Sequence, residues 1–332
     1  MKQPILTGSW GKCHIQGIAA DPEKGYIYYS FTTKLVKARM DGTIVGCVDG
    51  LMGHLGCIAF NRQDGRVYGS LEYKNDSIGK GILKSLGSDA ALEDAFYMAI
   101  FDVDRIDRMD MDAEKDGIMT SVYLREVVED YNAPGHRFGC SGIDGTTFGP
   151  MPGASDGKQY LFVAYGIYSD VTREDNDCQV LLCYDTADWA GFESPLSQRS
   201  MHKNGPAAPK EKLFVYTGNT TYGVQNLEYD AAQNAYFMAV YPGKKPQFPN
   251  YYLFAVDAAK APEKGRLSLK KMGNYHEASN TYGWNFKYGS TGLYSYGNGD
   301  WLISHNAVSQ SGQCGIIHTY VFDEKYGFIL KD

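Results

Sequence analysis

Long apolar runs are missing from this chain. None reaches the length a helix needs to span a bilayer, so a helical membrane protein is excluded. The start, "MKQPILTGSWGKCHIQG", has an apolar core of only three or four residues, too short for a signal peptide. Positive charge is also scarce: 32 Lys and Arg stand against 39 Asp and Glu, a net charge of -7 with no basic stripe, which argues against nucleic acid as a partner. Seven cysteines are present (Cys13, Cys47, Cys57, Cys140, Cys178, Cys183 and Cys314), an odd number without CxxC spacing. They are expected to be mostly free, buried thiols, in keeping with a cytoplasmic setting; a trimmed secreted chain stays open. Familiar chemical motifs are absent as well. There is no G-x-x-x-x-G-K-[ST] phosphate loop. "GCSG" around Ser141 is not G-x-S-x-G, and it joins strand to strand rather than strand to helix. "DVDRIDRMDMDAEKDG" is acidic but lacks the full calcium-loop pattern, so it reads as a solvated edge.

What is abundant points to strands and turns. There are 26 Tyr and 38 Gly against 12 Pro, and 43% of residues are hydrophobic, enough for a large core. One figure recurs: a polar or aromatic residue, Gly, a short apolar strand, an Asp, Asn or Gly turn, then a second strand rich in Tyr, Val and Ile. It reads "HIQGIAADPEKGYIYYSF" from His14, "HLGCIAFNRQDGRVYGSLEY" from His54 and "HRFGCSGIDGTTFG" from His136. It returns as "TYGVQNLEYDAAQNAYFMAVYP" and "TYGWNFKYGSTGLYSYGNGDWLIS". The marker glycines Gly17, Gly56, Gly139, Gly223 and Gly283 are spaced by 39, 83, 84 and 60 residues. Further strand candidates follow each copy, such as "KLVKARM" and "TIVGCV" across the hairpin turn Asp41-Gly42. Four strands per copy and five copies predict an all-β, five-bladed β-propeller of four-stranded antiparallel blades around a central channel.

The expected blades run approximately 12–50, 51–130, 131–217, 218–273 and 274–332, within one domain covering 1–332. Spacings of 83 and 84 are also about twice a ~41-residue blade, so a seven-bladed ring is the rival. Neither long gap contains a second glycine-marked start, which favours five. "PILTGSW" is expected to close the ring or extend the last blade. Long amphipathic helices are not expected; "SDAALEDAF" reads as one helical turn or two.

The stretch "GIAADPEKGYIYYSFTTKLVKARMDGTIV" resembles blades of the broad propeller superfamily that includes the NHL and YWTD groups. The resemblance extends over most of the chain as a pattern. It implies the fold, and no catalytic residue follows from it, because propellers host hydrolases, lyases, lectins and scaffolds alike.

First strands of a propeller line the channel, so equivalent blade starts converge at one mouth. Here they carry His14, His54 and His136, then Tyr222 and Tyr282, with Gln16, Asp144, Gln225 and Asn285 beside them. His14, His54, His136 and Asp144 are the candidate catalytic residues, since imidazoles and a carboxyl can move protons. The same three imidazoles could hold one divalent metal ion in the channel. His54, however, lies one position out of step with the other two relative to its glycine, and one step turns a side chain to the other face of a strand. Gln16, Tyr222, Gln225, Tyr282 and Asn285 are candidate substrate contacts: rings stack on sugar faces while amides bond hydroxyls. Glu72 in "SLEYKND" and Glu228 in "NLEYD" are further strand carboxylates of the kind glycoside hydrolysis pairs. The bland alternative for most of these residues is packing or hydrogen bonding between blades. Two functions follow. One is a monomeric hydrolase or lyase acting at the mouth on a small polar or carbohydrate-like substrate; the other is a non-catalytic carbohydrate- or ligand-binding propeller. The differing identities of the blade starts favour one asymmetric site, hence the enzyme.

Overall fold

The computed structural model describes residues 3–91 and 93–331. Its strands form five sheets in a ring, a five-bladed β-propeller. Blade 1 runs outward through Ile15–Asp21, Tyr26–Phe31, Lys34–Arg39 and Ile44–Asp49. Blade 2 comprises His54–Asn61, Arg66–Tyr73, Ala95–Phe101 and Met119–Tyr123, and blade 3 comprises Cys140–Pro150, Gln159–Ile167, Cys178–Tyr184 and Glu211–Tyr216. Blade 4 has Thr220–Asp230, Ala235–Pro242 and Leu253–Asp257. Blade 5 has Leu293–Ser295, Asp300–Ser309 and Gly312–Asp323. Its outer edge takes Ile5–Ser9 from the start of the chain, so "PILTGSW" closes the ring, and also Gly327–Leu330.

Open strand edges invite unwanted pairing. Here they are covered by short segments from the following blade. Met111–Asp112 adds in parallel to blade 1 and Arg266–Leu267 in parallel to blade 3, while Ser194–Pro195 adds antiparallel to blade 2. The long gaps that allowed a seven-bladed count are filled by these excursions and by two helices. Helix α1 (Ser77–Leu86) begins at Asp76, whose carboxylate accepts from the Gly79 N–H, and ends at Gly87 in the left-handed region. Helix α2 (Arg125–Asn132) follows the last strand of blade 2. The helical turn expected in "SDAALEDAF" is not formed among its described residues, which exclude Leu92; the helix lies just upstream, where Asp and Gly supply the caps.

The core is divided by the ring. Five apolar clusters form, one at each blade interface. Tyr28, Tyr97 and Leu71 lie between blades 1 and 2, while Phe237, Trp284 and Trp301 lie between blades 4 and 5. Serines on second strands add hydrogen bonds to the next blade's inner strand: Ser30 Oγ to the Gly56 carbonyl at 2.6 Å, and Ser70 Oγ to the Asp144 carbonyl at 2.8 Å. The cysteines are free.

Of the marker glycines, Gly17, Gly56 and Gly223 lie on inner strands, and Gly139 sits in the 3-10 turn that leads into one. Gly283 does not mark an inner strand. It belongs to a hairpin (Asn274–His276 with Thr281–Gly283), after which Trp284 pairs with Leu253 at the outer side of blade 4. The inner strand of blade 5 begins ten residues later, at Leu293.

Candidate functional site

The inner strands run in one direction around the channel, so their first residues surround one mouth. A cavity of about 290 Å³ opens there. It gathers six of the predicted residues: His14 and Gln16 from blade 1, His54 from blade 2, Asp144 from blade 3, and Tyr222 and Gln225 from blade 4. Glu72, Lys74 and Tyr241, from second strands or just beyond them, also line it.

The remaining predicted residues lie elsewhere. His136 adopts a left-handed backbone (φ 58°) at the start of a 3-10 turn. Its Nδ1 bonds the Tyr131 carbonyl at 2.6 Å and its ring packs between Tyr131 and Tyr168. Tyr282 stacks on Tyr275 in the outer hairpin, with ring centroids 4.7 Å apart, and Asn285 is exposed just beyond it. The three imidazoles named for a metal therefore do not converge. Among the described residues no group of three or more His, Cys, Asp or Glu side chains is placed to hold a metal ion.

Two carboxyls dominate the mouth, and glycines make room for both. A Cβ on Gly56 would stand 2.3 Å from Asp144 Oδ1, and one on Gly142 would stand 2.0 Å from Glu72 Oε2. Glu72 pairs in register with His54 across blade 2. Its Oε1 lies 2.5 Å from Lys74 Nζ, and its Oε2 accepts from the Ile143 N–H at 3.1 Å. Lys74 also donates to the Ser141 carbonyl at 3.0 Å. Asp144 Oδ2 accepts from Gln225 Nε2 at 3.1 Å, and the same amide donates to the Tyr222 carbonyl at 2.9 Å.

These contacts divide the proton affinities. Burial raises the Glu72 pKa, but the Lys74 ammonium and the Ile143 N–H oppose the rise. Asp144 is pushed well above the usual carboxylate range by burial and then by the charge on Glu72; Lys74 and Gln225 offset this only in part. Burial would lower Lys74, yet the Glu72 charge outweighs it and holds the ammonium above its ordinary value. Glu72, touching Lys74, is thus the readier of the two to ionise, and Asp144 the readier to hold a proton.

Between them stands His54. Its Nδ1 is buried without a hydrogen-bond partner among the described residues, 3.7 Å from Glu72 Oε1 and 3.9 Å from Asp144 Oδ1. Burial, with the positive fields of Lys74 and His14, lowers its pKa to about 3, so the imidazole is neutral. His14 is lowered too, by burial, and its Nε2 lies 2.9 Å from Gln16 Nε2. Because an amide nitrogen only donates, His14 Nε2 is the acceptor there.

Sequence reasoning weighed Glu72 only as a strand carboxylate and did not name Lys74 or Tyr241. The available signal was register: a residue on the second strand opposite His54 shares its end of the blade.

No protein-family model matches the sequence, and no curated protein matches it. Solved structures similar in fold are propellers at low identity. A GH43 β-1,3-galactosidase solved with galactodeoxynojirimycin is 11% identical, with 99% of this chain and 98% of that chain covered and a TM-score of 0.46. A β-xylosidase is 11% identical over 99% and 98% of the two chains, with a TM-score of 0.43. The periplasmic gluconolactonase of Pseudomonas aeruginosa is 13% identical over 96% and 72%, with a TM-score of 0.37.

Proposed function

We propose that this chain is an acid–base enzyme, a hydrolase or lyase, acting on a small carbohydrate-like substrate in the mouth cavity. The observation that supports it is the unpartnered, neutral His54 imidazole set between two carboxyls of unlike proton affinity. Paired groups whose environments drive their pKa values apart supply an acid and a base at one pH. A small closure would let Nδ1–H donate to Glu72 and leave the Nε2 lone pair toward the cavity, so Glu72 is a positioning residue. In hydrolysis His54 takes a proton from water, whose oxygen bonds to the substrate carbon as the C–O bond breaks. Asp144 gives its proton to the departing oxygen, and Gln225 holds Asp144 in place. Proton exchange with solvent then resets both groups. In elimination the same base takes a C–H proton instead, and no water is added. Gln16 and Tyr222 would contact substrate hydroxyls and ring faces. The cavity approaches the smallest usual ligand pockets and suits a single sugar-sized unit.

The test is a panel of aryl glycosides, sugar lactones and uronate-containing oligosaccharides, with product mass separating hydrolysis from elimination. Asp144→Asn and His54→Ala should each lower kcat by ~10²–10⁴ on any substrate turned over, with melting temperature little changed. A substrate bound by the parent protein but never turned over would instead place the chain among non-catalytic binding propellers.

A further inference from the structure

The opposite end of the channel holds a second cavity of about 430 Å³, walled by the far ends of the same inner strands. The two are separated by a polar plug. Fully buried Asn226 of blade 4 donates to the Gln16 carbonyl of blade 1 at 2.8 Å and to the Ser290 carbonyl ahead of blade 5 at 3.0 Å. The Cys57 thiol of blade 2 donates to the Thr146 carbonyl of blade 3 at 3.4 Å.

We propose that this second mouth binds a small amphiphilic organic anion, its carboxylate on Arg62 and its apolar body on the apolar lining of the cavity. Arg62 stands exposed in the turn after the blade 2 inner strand. Its guanidinium donates to the Tyr294 hydroxyl at 3.4 Å, and among the described residues it forms no ion pair. A guanidinium offers a planar fork that a carboxylate can fill with two parallel hydrogen bonds. The same cavity is lined by the apolar Ile18, Ala20, Ile58, Ala59, Phe148 and Tyr296, beside the polar Thr147, Glu228 and Ser295. A guanidinium with such apolar side chains in one cavity matches a ligand charged at one end and apolar at the other.

The acidic groups at this end do not cancel that charge. Glu228 is half-buried, and its carboxyl accepts from the Ser295 N–H at 2.9 Å and the Thr147 hydroxyl at 3.2 Å. Burial pushes it up to about 8, so it is largely uncharged at neutral pH and can itself donate. Asp230 is fully buried behind Ser295 Oγ at 2.5 Å and the Gln233 N–H at 2.8 Å, turned away from the opening.

Titration calorimetry of the whole chain at neutral pH with benzoate, benzyl alcohol and inorganic phosphate tests this. Benzoate should bind, and Arg62→Ala should weaken it roughly tenfold or more, the loss expected for a hydrogen bond to a charged group. Benzyl alcohol and phosphate should each bind at least roughly tenfold more weakly than benzoate by the same reasoning. Arg62 is exposed, so the variant should melt with the parent. Asp144→Asn, at the other mouth, should leave benzoate affinity unchanged. The proposal is overturned if benzoate does not bind, if benzyl alcohol or phosphate binds as tightly, if Arg62→Ala is silent, or if Asp144→Asn abolishes binding. Turnover at the first mouth does not enter the readout, so the two assignments stand or fall separately.

Discussion

Replacing Glu228 by glutamine should change the stability of the propeller in a pH-dependent way, with a change of sign. Glu228 ordinarily titrates at 4.5 and is raised to about 8 in the fold, chiefly by burial. The Asp230 charge adds to the rise, while the Ser295 N–H, the Thr147 hydroxyl and Arg62 oppose it. A carboxyl raised in the folded state stabilises the fold fully below the unfolded pKa, and that contribution is lost as pH rises through the folded pKa. The window is therefore about 4.5 to 8. A tenfold change in proton affinity corresponds to about 1.36 kcal/mol, so the ceiling is about 5 kcal/mol. Glu228 is only half-buried, and water in the mouth reduces this to roughly 2–4 kcal/mol. Glutamine carries no charge at any of these pH values. Its amide nitrogen cannot accept, so one of the two hydrogen bonds is lost, at about 1 kcal/mol. For 332 residues the unfolding entropy is about 0.7 kcal/mol/K by the usual per-residue value. Glu228→Gln should thus melt about 1–2 °C below the parent near pH 4.5, and a few degrees above it beyond pH 8. Scanning calorimetry of both proteins across that range reads the difference directly. A melting-temperature difference that stays constant with pH would refute the reasoning, because it would mean that Glu228 has the same pKa folded and unfolded.

Other expectations concern the first mouth and the thiols. With His54 lowered to about 3, any turnover should show no acidic limb near the ordinary imidazole value of 6.5; kcat/KM should instead fall on the alkaline side as Asp144 loses its proton, and a limb near 6.5 abolished in His54→Ala would contradict the assignment. His136→Ala removes a ring packed on Tyr131 and Tyr168 and a bond to the Tyr131 carbonyl. It should lower stability by about 1–3 kcal/mol while leaving kcat/KM unchanged, and a large loss of turnover at unchanged melting temperature would return His136 to the site. Thiol titration after denaturation without reductant should find all seven cysteines, and a count of five or fewer would require a disulfide.

The ring and much of the mouth were legible in the sequence because both depend on local patterns. Inner strands begin alike in the first three blades, and strand starts converge by geometry, so His14, His54 and Asp144 could be placed together from position alone. The fifth start failed for a local reason. "TYGWNFKYG" has the same aromatic and glycine texture, but Trp284 is used to pair with Leu253 and to donate to the Glu324 carbonyl at 3.1 Å. The inner strand of blade 5, Leu293–Ser295, is three residues long and follows Gly289 and Gly292, so it looks like a turn. Tyr282 and Asn285 were lost to the site with that error. His136 keeps the same offset from its glycine as His14, yet the positive φ at Gly135 and at His136 itself turns it away.

Lys74 escaped, and Glu72 was weighed only as a strand carboxylate, for the opposite reason: no repeat pattern marks them, and only register sets Glu72 opposite His54. Their place in the mouth depends on Gly142 from the next blade, where any side chain would occupy the position of the Glu72 carboxylate. The repeat thus predicts which strand ends meet, while the protonation pattern is set by contacts between blades that the repeat does not encode. Blade 2 supplies the buried imidazole, one carboxyl and the lysine; blade 3 supplies the second carboxyl and the glycine that admits the first; blade 4 supplies the amide that bonds the second. A propeller can keep all five blades alike in pattern and still build one asymmetric mouth, because side chains at the strand ends can vary without disturbing the apolar interfaces that close the ring.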